Sequence, residues 1–174
     1  MKRFLVVVDM QNDFIDGALG TPEAVAITDA AAHKIREFDG EIFVTYDTHF
    51  DNYMQSAEGK KLPVPHCIKG THGHELNEKI KSALSGKKVT EVEKLTFGSV
   101  DLPQKIAKSA DGMDFSVKLF GLCTDICVVS NALLLKAAFP EISITVDSSC
   151  CAGVTPSSHE AALTTMRMCQ IDVK

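Results

Sequence analysis

A three-layer α/β sandwich on a parallel, Rossmann-like central sheet is the fold this 174-residue sequence predicts, on three observations. Short, β-branched apolar runs recur along the chain, and longer stretches with apolar residues at helical spacing separate them. The first of these runs, "RFLVVVDMQ", lacks the strict alternation of a half-solvated strand, so it reads as a strand buried on both faces. Regular alternation of strand and helix gives right-handed crossovers, which place helices over both faces of a parallel sheet. The length suits one domain with a full core and is short for two, so residues 1–174 read as a single domain.

The elements follow in order. "RFLVVVDMQ" (3–11) is the first strand, ending in polar residues. "TPEAVAITDAAAHKIREF" (21–38) is the first helix, with Thr21 as its cap, Pro22 in the first turn and Glu23 beside it. "EIFVTYD" (41–47) is the second strand. The polar, proline-bearing stretch from Thr48 to Gly73 is long for a passive connection, so it is either disordered or functional. A helix at "HELNEKIKSAL" (74–84), a third strand at "KKVTEVEK" (87–94), a short helix at "LPQKIAKSA" (102–110) and a fourth strand at "FSVKLFG" (115–121) come next. "DICVVSNALLLKAAF" (125–139) is the most apolar helix, "ISITVD" (142–147) the fifth strand and "SSHEAALTTMRMC" (157–169) the closing helix, with a short last strand at "QIDV".

Composition narrows the function classes. Apolar residues make up 45% and charged residues 24%, ordinary values for a globular chain and unlike those of a disordered one. The net charge of -5, with lysines scattered among acids, offers no basic stripe for nucleic acid. The apolar run after "MKR" stops at Asp9, too early for a signal-peptide core, and no segment approaches the roughly 20 apolar residues of a membrane span, so a cytoplasmic protein is expected. Six cysteines without a secretory signal read as thiols, and Cys150, Cys151 and Cys169 are expected to be buried.

In open parallel sheets ligands bind beyond the carboxyl ends of the strands. Asp9 ends the first strand, Asp47 ends the second, Lys94 follows the third, and Gly121 to Cys127 follow the fourth. Singly, Asp9 could cap a loop and Lys94 could be a solvated surface charge; their interest lies in pairing with a thiol. Cys127 falls just inside a helix that Thr124 or Asp125 would cap, where free N–H groups and the helix dipole favour a thiolate. Cys123, four residues earlier, has the wrong spacing for a C-x-x-C redox pair, and no paired zinc-ligand spacing accompanies it. A second constellation lies between the second and third strands. Asp47 and His49, alternate residues in an extended segment, can point the same way, and Glu58 and His66 could complete a mixed set suited to zinc, iron or manganese. The alternative is a loop of solvated histidines, four of the six in the chain lying between residues 49 and 74.

Assembled in order, "VVVDMQNDFIDGALG", "DTH", "PHCIKGTHG", "EKLTFGS", "GLCTDICVVSNALLLKAA" and "VDSSCCAGVTPSSHEAAL" make the chain resemble the cysteine hydrolases of the isochorismatase-like superfamily, and among them the nicotinamidases. The "G-x-x-T-D-x-C-V" element is the most specific of these. The resemblance implies a catalytic triad of Asp9, Lys94 and Cys127, a cis peptide between Leu122 and Cys123, and an oxyanion hole from the backbone N–H groups of Cys123 and Cys127. It implies one divalent ion (zinc, iron or manganese) held by Asp47, His49, His66 and, in some members, a carboxylate at the position of Glu58. Phe14 and Leu122 would line the substrate pocket. The implied activity is hydrolysis of a small-molecule amide, nicotinamide to nicotinate and ammonia in NAD salvage, through a thioester, by a protein that associates with copies of itself. A related cysteine hydrolase acting on another amide or a carbamoyl compound is the near alternative, although members acting on nonaromatic amides generally do without the metal loop. A noncatalytic binding protein on the same scaffold is the distant one. One departure stands out: many nicotinamidases carry tryptophan just before "PHC", whereas this chain has none and places Leu62 and Pro63 there.

Overall fold

A computed structural model describes residues 1–174. Its centre is a six-stranded sheet in the order β3-β2-β1-β4-β5-β6, with every neighbouring pair parallel. In chain order the elements are β1 (Lys2–Val8), α1 (Asn12–Ile15), α2 (Pro22–Glu37), β2 (Glu41–Asp47), α3 (Ala57–Lys61), α4 (Glu78–Leu84), β3 (Val89–Lys94), α5 (Asp101–Ala110), β4 (Phe115–Leu122), α6 (Val129–Ala138), β5 (Ser143–Ala152), α7 (Pro156–Met168) and β6 (Asp172–Val173).

The central strands β1 and β2 are buried without alternation because they are covered on both sides, whereas the edge strand β3 alternates. Phe4 to Val8 of β1 are at most 1% exposed. α2 starts where Thr21 predicts, the Thr21 hydroxyl accepting from the Ala24 N–H at 3.0 Å. It packs with α4 and β5, while α5, α6 and α7 pack among themselves on the other layer. Right-handed crossovers explain the division: the chain steps outward from β1 to β3, returns to β4, and then steps outward the other way. The connections leaving β1 and β4 therefore diverge, and a crevice opens between their carboxyl ends.

Two backbone features shape that crevice. Gly121, at φ +135°, lies so close to β1 that an added Cβ would meet the Val8 carbonyl oxygen at 2.1 Å, and only glycine fits there. Asp9 leaves β1 with φ +46°, its N–H donating to the Thr45 carbonyl at 3.2 Å.

Several boundaries differ from those expected. The stretch from Thr48 to Gly73 is ordered, with a 3-10 turn at Tyr53–Gln55 and helix α3, whose Ser56 side chain accepts from the Gly59 N–H at 2.9 Å. The helix expected from residue 74 starts at Glu78, where Asn77 caps it, and His74 belongs to a separate 3-10 turn. The fifth strand runs on to Ala152, which buries Cys150 and Cys151 as expected. Cys169 is exposed instead: α7 ends at Met168, and the chain turns back so that Ile171 takes the buried place, its N–H donating to the Met166 carbonyl. No helix is long and apolar enough to cross a membrane.

Candidate active site

Three strand ends bring Asp9, Lys94 and Cys127 together. The Lys94 ammonium lies 2.6 Å from Asp9 Oδ2 and 3.5 Å from Cys127 Sγ, and all three side chains are at most 4% exposed. Thr45 fixes the other Asp9 oxygen, its hydroxyl donating to Oδ1 at 2.6 Å. Oδ2 faces Lys94, and a carboxylate oxygen with two lone pairs can accept a second donor beside it.

Burial pushes the Asp9 carboxyl up despite the neighbouring ammonium, whereas Asp9, Cys127 and Asp47 raise the Lys94 amine against the effect of its own burial. Taken alone, the first favours a protonated acid and the second an ion pair. The ion pair prevails on geometry, since Nζ faces Asp9 at 2.6 Å and Asp47 and Cys127 at 3.5 Å each.

The thiol departs from its expected state. Neither Thr124 nor Asp125 caps the helix: the Thr124 hydroxyl pairs with His159 Nδ1 at 2.8 Å, and the Asp125 carboxylate accepts from the Val154 N–H at 3.1 Å. The helix opens on a π turn, Thr124–Val128, with Cys123 as cap residue and the Val128 N–H reaching the Cys123 carbonyl at 3.0 Å. Burial and then the Asp9 charge push the Cys127 thiol well above its ordinary range, with Lys94 opposing them, so the resting form is the thiol. The Leu122–Cys123 peptide is cis, as expected. Among the loop and cap backbone hydrogen bonds, none uses the Cys123 N–H.

A second cluster lies beside the first. One ligand atom from each of Asp47, His49 and His66 falls within 4.8 Å of the others. Asp47 Oδ2 is 3.0 Å from His49 Nε2 and 3.4 Å from His66 Nε2. Glu58 approaches both imidazoles, its Oε1 3.8 Å from His49 and 3.5 Å from His66. His66 places Nδ1 2.8 Å from the Val64 carbonyl, so Nδ1 carries a proton and Nε2 is the ring atom turned to the cluster. Burial alone would raise the Asp47 carboxyl, but hydrogen bonds from His49 and His66 and the Lys94 charge hold it well below its ordinary value. Two imidazole nitrogens, a firm carboxylate and a second carboxylate nearby fit a borderline divalent ion such as zinc, iron or manganese. Asp47 joins the two clusters, because its Oδ1 faces Lys94.

Both clusters open into a cavity of about 540 Å³. Asp47, His49, Glu58, His66, Cys123 and Cys127 supply its reactive lining, and Phe14, Leu19, Leu62, Leu95, Phe97 and Ile126 its apolar lining. Leu122 does not reach it: as the last residue of β4, paired with Ala152, it is fully buried in the core. His74 stands apart from the imidazole pair, with its Nε2 3.0 Å from the Thr48 hydroxyl.

Sequence reasoning missed the residues that hold the loop in place. The buried Gln11 amide donates to the carbonyls of Asp47 (2.9 Å) and His74 (2.8 Å) and accepts from the Asp47 N–H (2.8 Å). Asn12 donates to the His72 carbonyl at 2.9 Å, and Asp13 accepts from the Cys67 N–H at 2.7 Å. Three consecutive polar residues after a buried strand were the available signal.

The family model for the isochorismatase domain matches residues 3–173. PncA of Bacillus subtilis (strain 168), an isochorismatase family protein, is 32% identical over 147 residues, 76% of this chain and 78% of its own length. The crystal structure of the B. subtilis nicotinamidase PncA aligns with a TM-score of 0.83 and 28% identity over 99% of each chain. N-carbamoylsarcosine amidase from Thermoplasma acidophilum aligns with a TM-score of 0.75 and 27% identity over 100% of this chain and 96% of its own. The pyrazinamidase of Pyrococcus horikoshii in complex with zinc shares the fold, with a TM-score of 0.79 at 24% identity over 100% and 99% of the chains. A family match from the first strand to the last, on a parallel sheet whose strand ends gather an acid, an amine and a thiol, makes this chain a member of the isochorismatase family.

Proposed function

We propose that the protein is a cysteine-dependent amidohydrolase whose substrate is nicotinamide or a similar small aromatic amide. The observation that carries this is the meeting of Asp9, Lys94 and Cys127 within 2.6 to 3.5 Å at a cavity lined by Phe14 and Phe97. A buried acid, amine and thiol in contact are costly to maintain and suit covalent catalysis.

The Asp9 carboxylate accepts the Cys127 thiol proton, and Lys94 balances the charge as the thiolate adds to the amide carbonyl carbon. The N–H of Cys123, with that of Cys127, receives the negative oxygen of the tetrahedral intermediate; one such donor is commonly worth ~10² or more in rate. As the intermediate collapses, Asp9 returns the proton to the departing nitrogen, which leaves as ammonia, and the acyl group remains on Sγ. Asp9 then takes a proton from water, whose oxygen attacks the thioester. The carboxylic acid departs and Sγ recovers its proton. Asp47, His49 and His66, with Glu58 beside them, would hold a divalent ion, which would orient and polarise a ring nitrogen of the substrate. Asp47 additionally helps hold Lys94 in place through Oδ1.

Hydrolysis of a carbamoyl compound is the second reading, favoured by the aliphatic lining of Leu19, Leu62, Leu95 and Ile126 and by the Thermoplasma relative's activity. Ammonia release from a panel of nicotinamide, pyrazinamide, aliphatic amides and N-carbamoylsarcosine separates them. Turnover of the ring amides alone, lost on chelation, is the expected result; turnover of the carbamoyl compound alone would overturn the aromatic assignment.

A further inference from the structure

We infer that Asn131 is a positioning residue that sets one wall of the substrate cavity, Phe97, against the reacting sulfur of Cys127. Asparagine is a poor helix former, and this one interrupts the apolar run "VVSNALLL" in α6 while being fully buried. Its side chain bridges two segments. Nδ2 donates to the Cys127 carbonyl at 2.8 Å and to the Phe97 carbonyl at 3.3 Å, and Oδ1 accepts from the Ser99 N–H at 2.9 Å.

The segment it grips, Leu95 to Ser99, follows Lys94 directly and carries Leu95 and Phe97 into the cavity lining. Phe97 is 46% exposed, so side-chain packing alone does not fix it and its place depends on its backbone. Gly98 lies close against α6, where a Cβ would sit 3.3 Å from the Ser130 backbone carbon and against the Leu134 side chain. The Thr96 hydroxyl closes the turn onto the Gly98 carbonyl at 2.6 Å. One buried amide thus ties the backbone of the nucleophile to the backbone of an aromatic wall. A ring held there sorts acyl groups by shape, whereas the thiol itself accepts any small electrophile.

The inference rests on Cys127 as the reacting group and on the cavity as its acyl pocket; it does not require that the substrate be an amide. Its test therefore uses no turnover: the alkylation rate of Cys127 by N-phenyl iodoacetamide divided by the rate with iodoacetamide. Asn131→Ser is the informative variant. A serine here can still donate to the carbonyl four residues back, as Ser130 does to Ile126 at 2.6 Å, but it is too short to reach Phe97 or Ser99. The expected result is a fall of about tenfold in the ratio for Asn131→Ser and for Phe97→Ala, with no further fall in the double variant, while the iodoacetamide rate changes far less. Gly98→Val, whose branched side chain would press on the Ser130 backbone as well as on Leu134, moves the same segment while leaving Asn131 intact; it is expected to lower the ratio likewise and serves if Asn131→Ser does not fold. An unchanged ratio in the folded variants, additive losses in the double variant, or equal loss of both rates would overturn the assignment. Failure of the amidohydrolase reading appears separately, as an absence of ammonia release from wild-type protein.

Discussion

Replacing Gln11 tests whether the cluster of Asp47, His49 and His66 depends on a residue that is not one of its members. Gln11 is fully buried and clamps Asp47 by both its N–H and its carbonyl, with a third bond to the His74 carbonyl. Gln11→Ala deletes three hydrogen bonds of 2.8 to 2.9 Å and leaves three backbone groups without partners. At about 1 kcal/mol for each bond, the loss is about 3 kcal/mol, or more if water cannot replace the amide. For a chain of this size that lowers Tm by roughly 6 to 12 °C. The same loss frees the Asp47 backbone, and loosening a support of this kind commonly costs about 10- to 100-fold in metal affinity. Titration calorimetry with zinc or manganese, beside a thermal melt, reads both effects. Gln11→Glu keeps the acceptor for the Asp47 N–H but turns an oxygen toward two carbonyls, so it is expected to be worse than its shape suggests. A lowered Tm with metal affinity within about twofold of wild type would refute the positioning role and leave Gln11 a purely structural residue.

Three further outcomes follow from the geometry. Gly121→Ala forces a Cβ to 2.1 Å from the Val8 carbonyl at φ +135°, and a loss of more than about 4 kcal/mol is expected, read as loss of cooperative unfolding in urea; a near-native midpoint would contradict the close strand approach. Burial and Asp9 raise the Cys127 thiol while Lys94 lowers it, so the pH midpoint of Cys127 alkylation should fall in Asp9→Asn and rise in Lys94→Met; movement in one common direction would be inconsistent with the contacts described. Chelation, or His49→Ala, should raise KM for nicotinamide more than it slows alkylation of Cys127, and equal loss of both would argue against separate tasks for the metal cluster and the thiol.

The fold was legible because its central strands are buried on both faces and its helices carry their own start signals, Thr21 before Pro22 being the plainest. The meeting of Asp9, Asp47, Lys94 and Cys127 was legible for a related reason: in a parallel sheet the chain position just after each strand is also a spatial position, so these four side chains fall at one edge. The state of the thiol was not legible. A helix start suggests a lowered pKa, but Cys127 is 4% exposed and faces the Asp9 charge, and burial depends on packing that no local pattern records. Gln11, Asn131 and Phe97 were missed for a different reason. They act through side-chain bonds to backbone 32 to 63 residues away, or by lining a cavity from a short loop, and neither carries a periodicity. Leu122 shows the converse error, since the cis peptide it precedes borders the site while its side chain belongs to the core.

The claim that Cys127 carries the acyl group is tested most directly by intact-mass spectrometry of metal-loaded protein quenched in acid shortly after mixing with nicotinamide. The expected result is a transient species heavier by one nicotinoyl group less one hydrogen, mapped to the peptide containing Cys127 and absent from Cys127→Ala, whose melt is unchanged and whose ammonia release is abolished. Ammonia release that persists in Cys127→Ala, or an acyl group on any other residue, would contradict it.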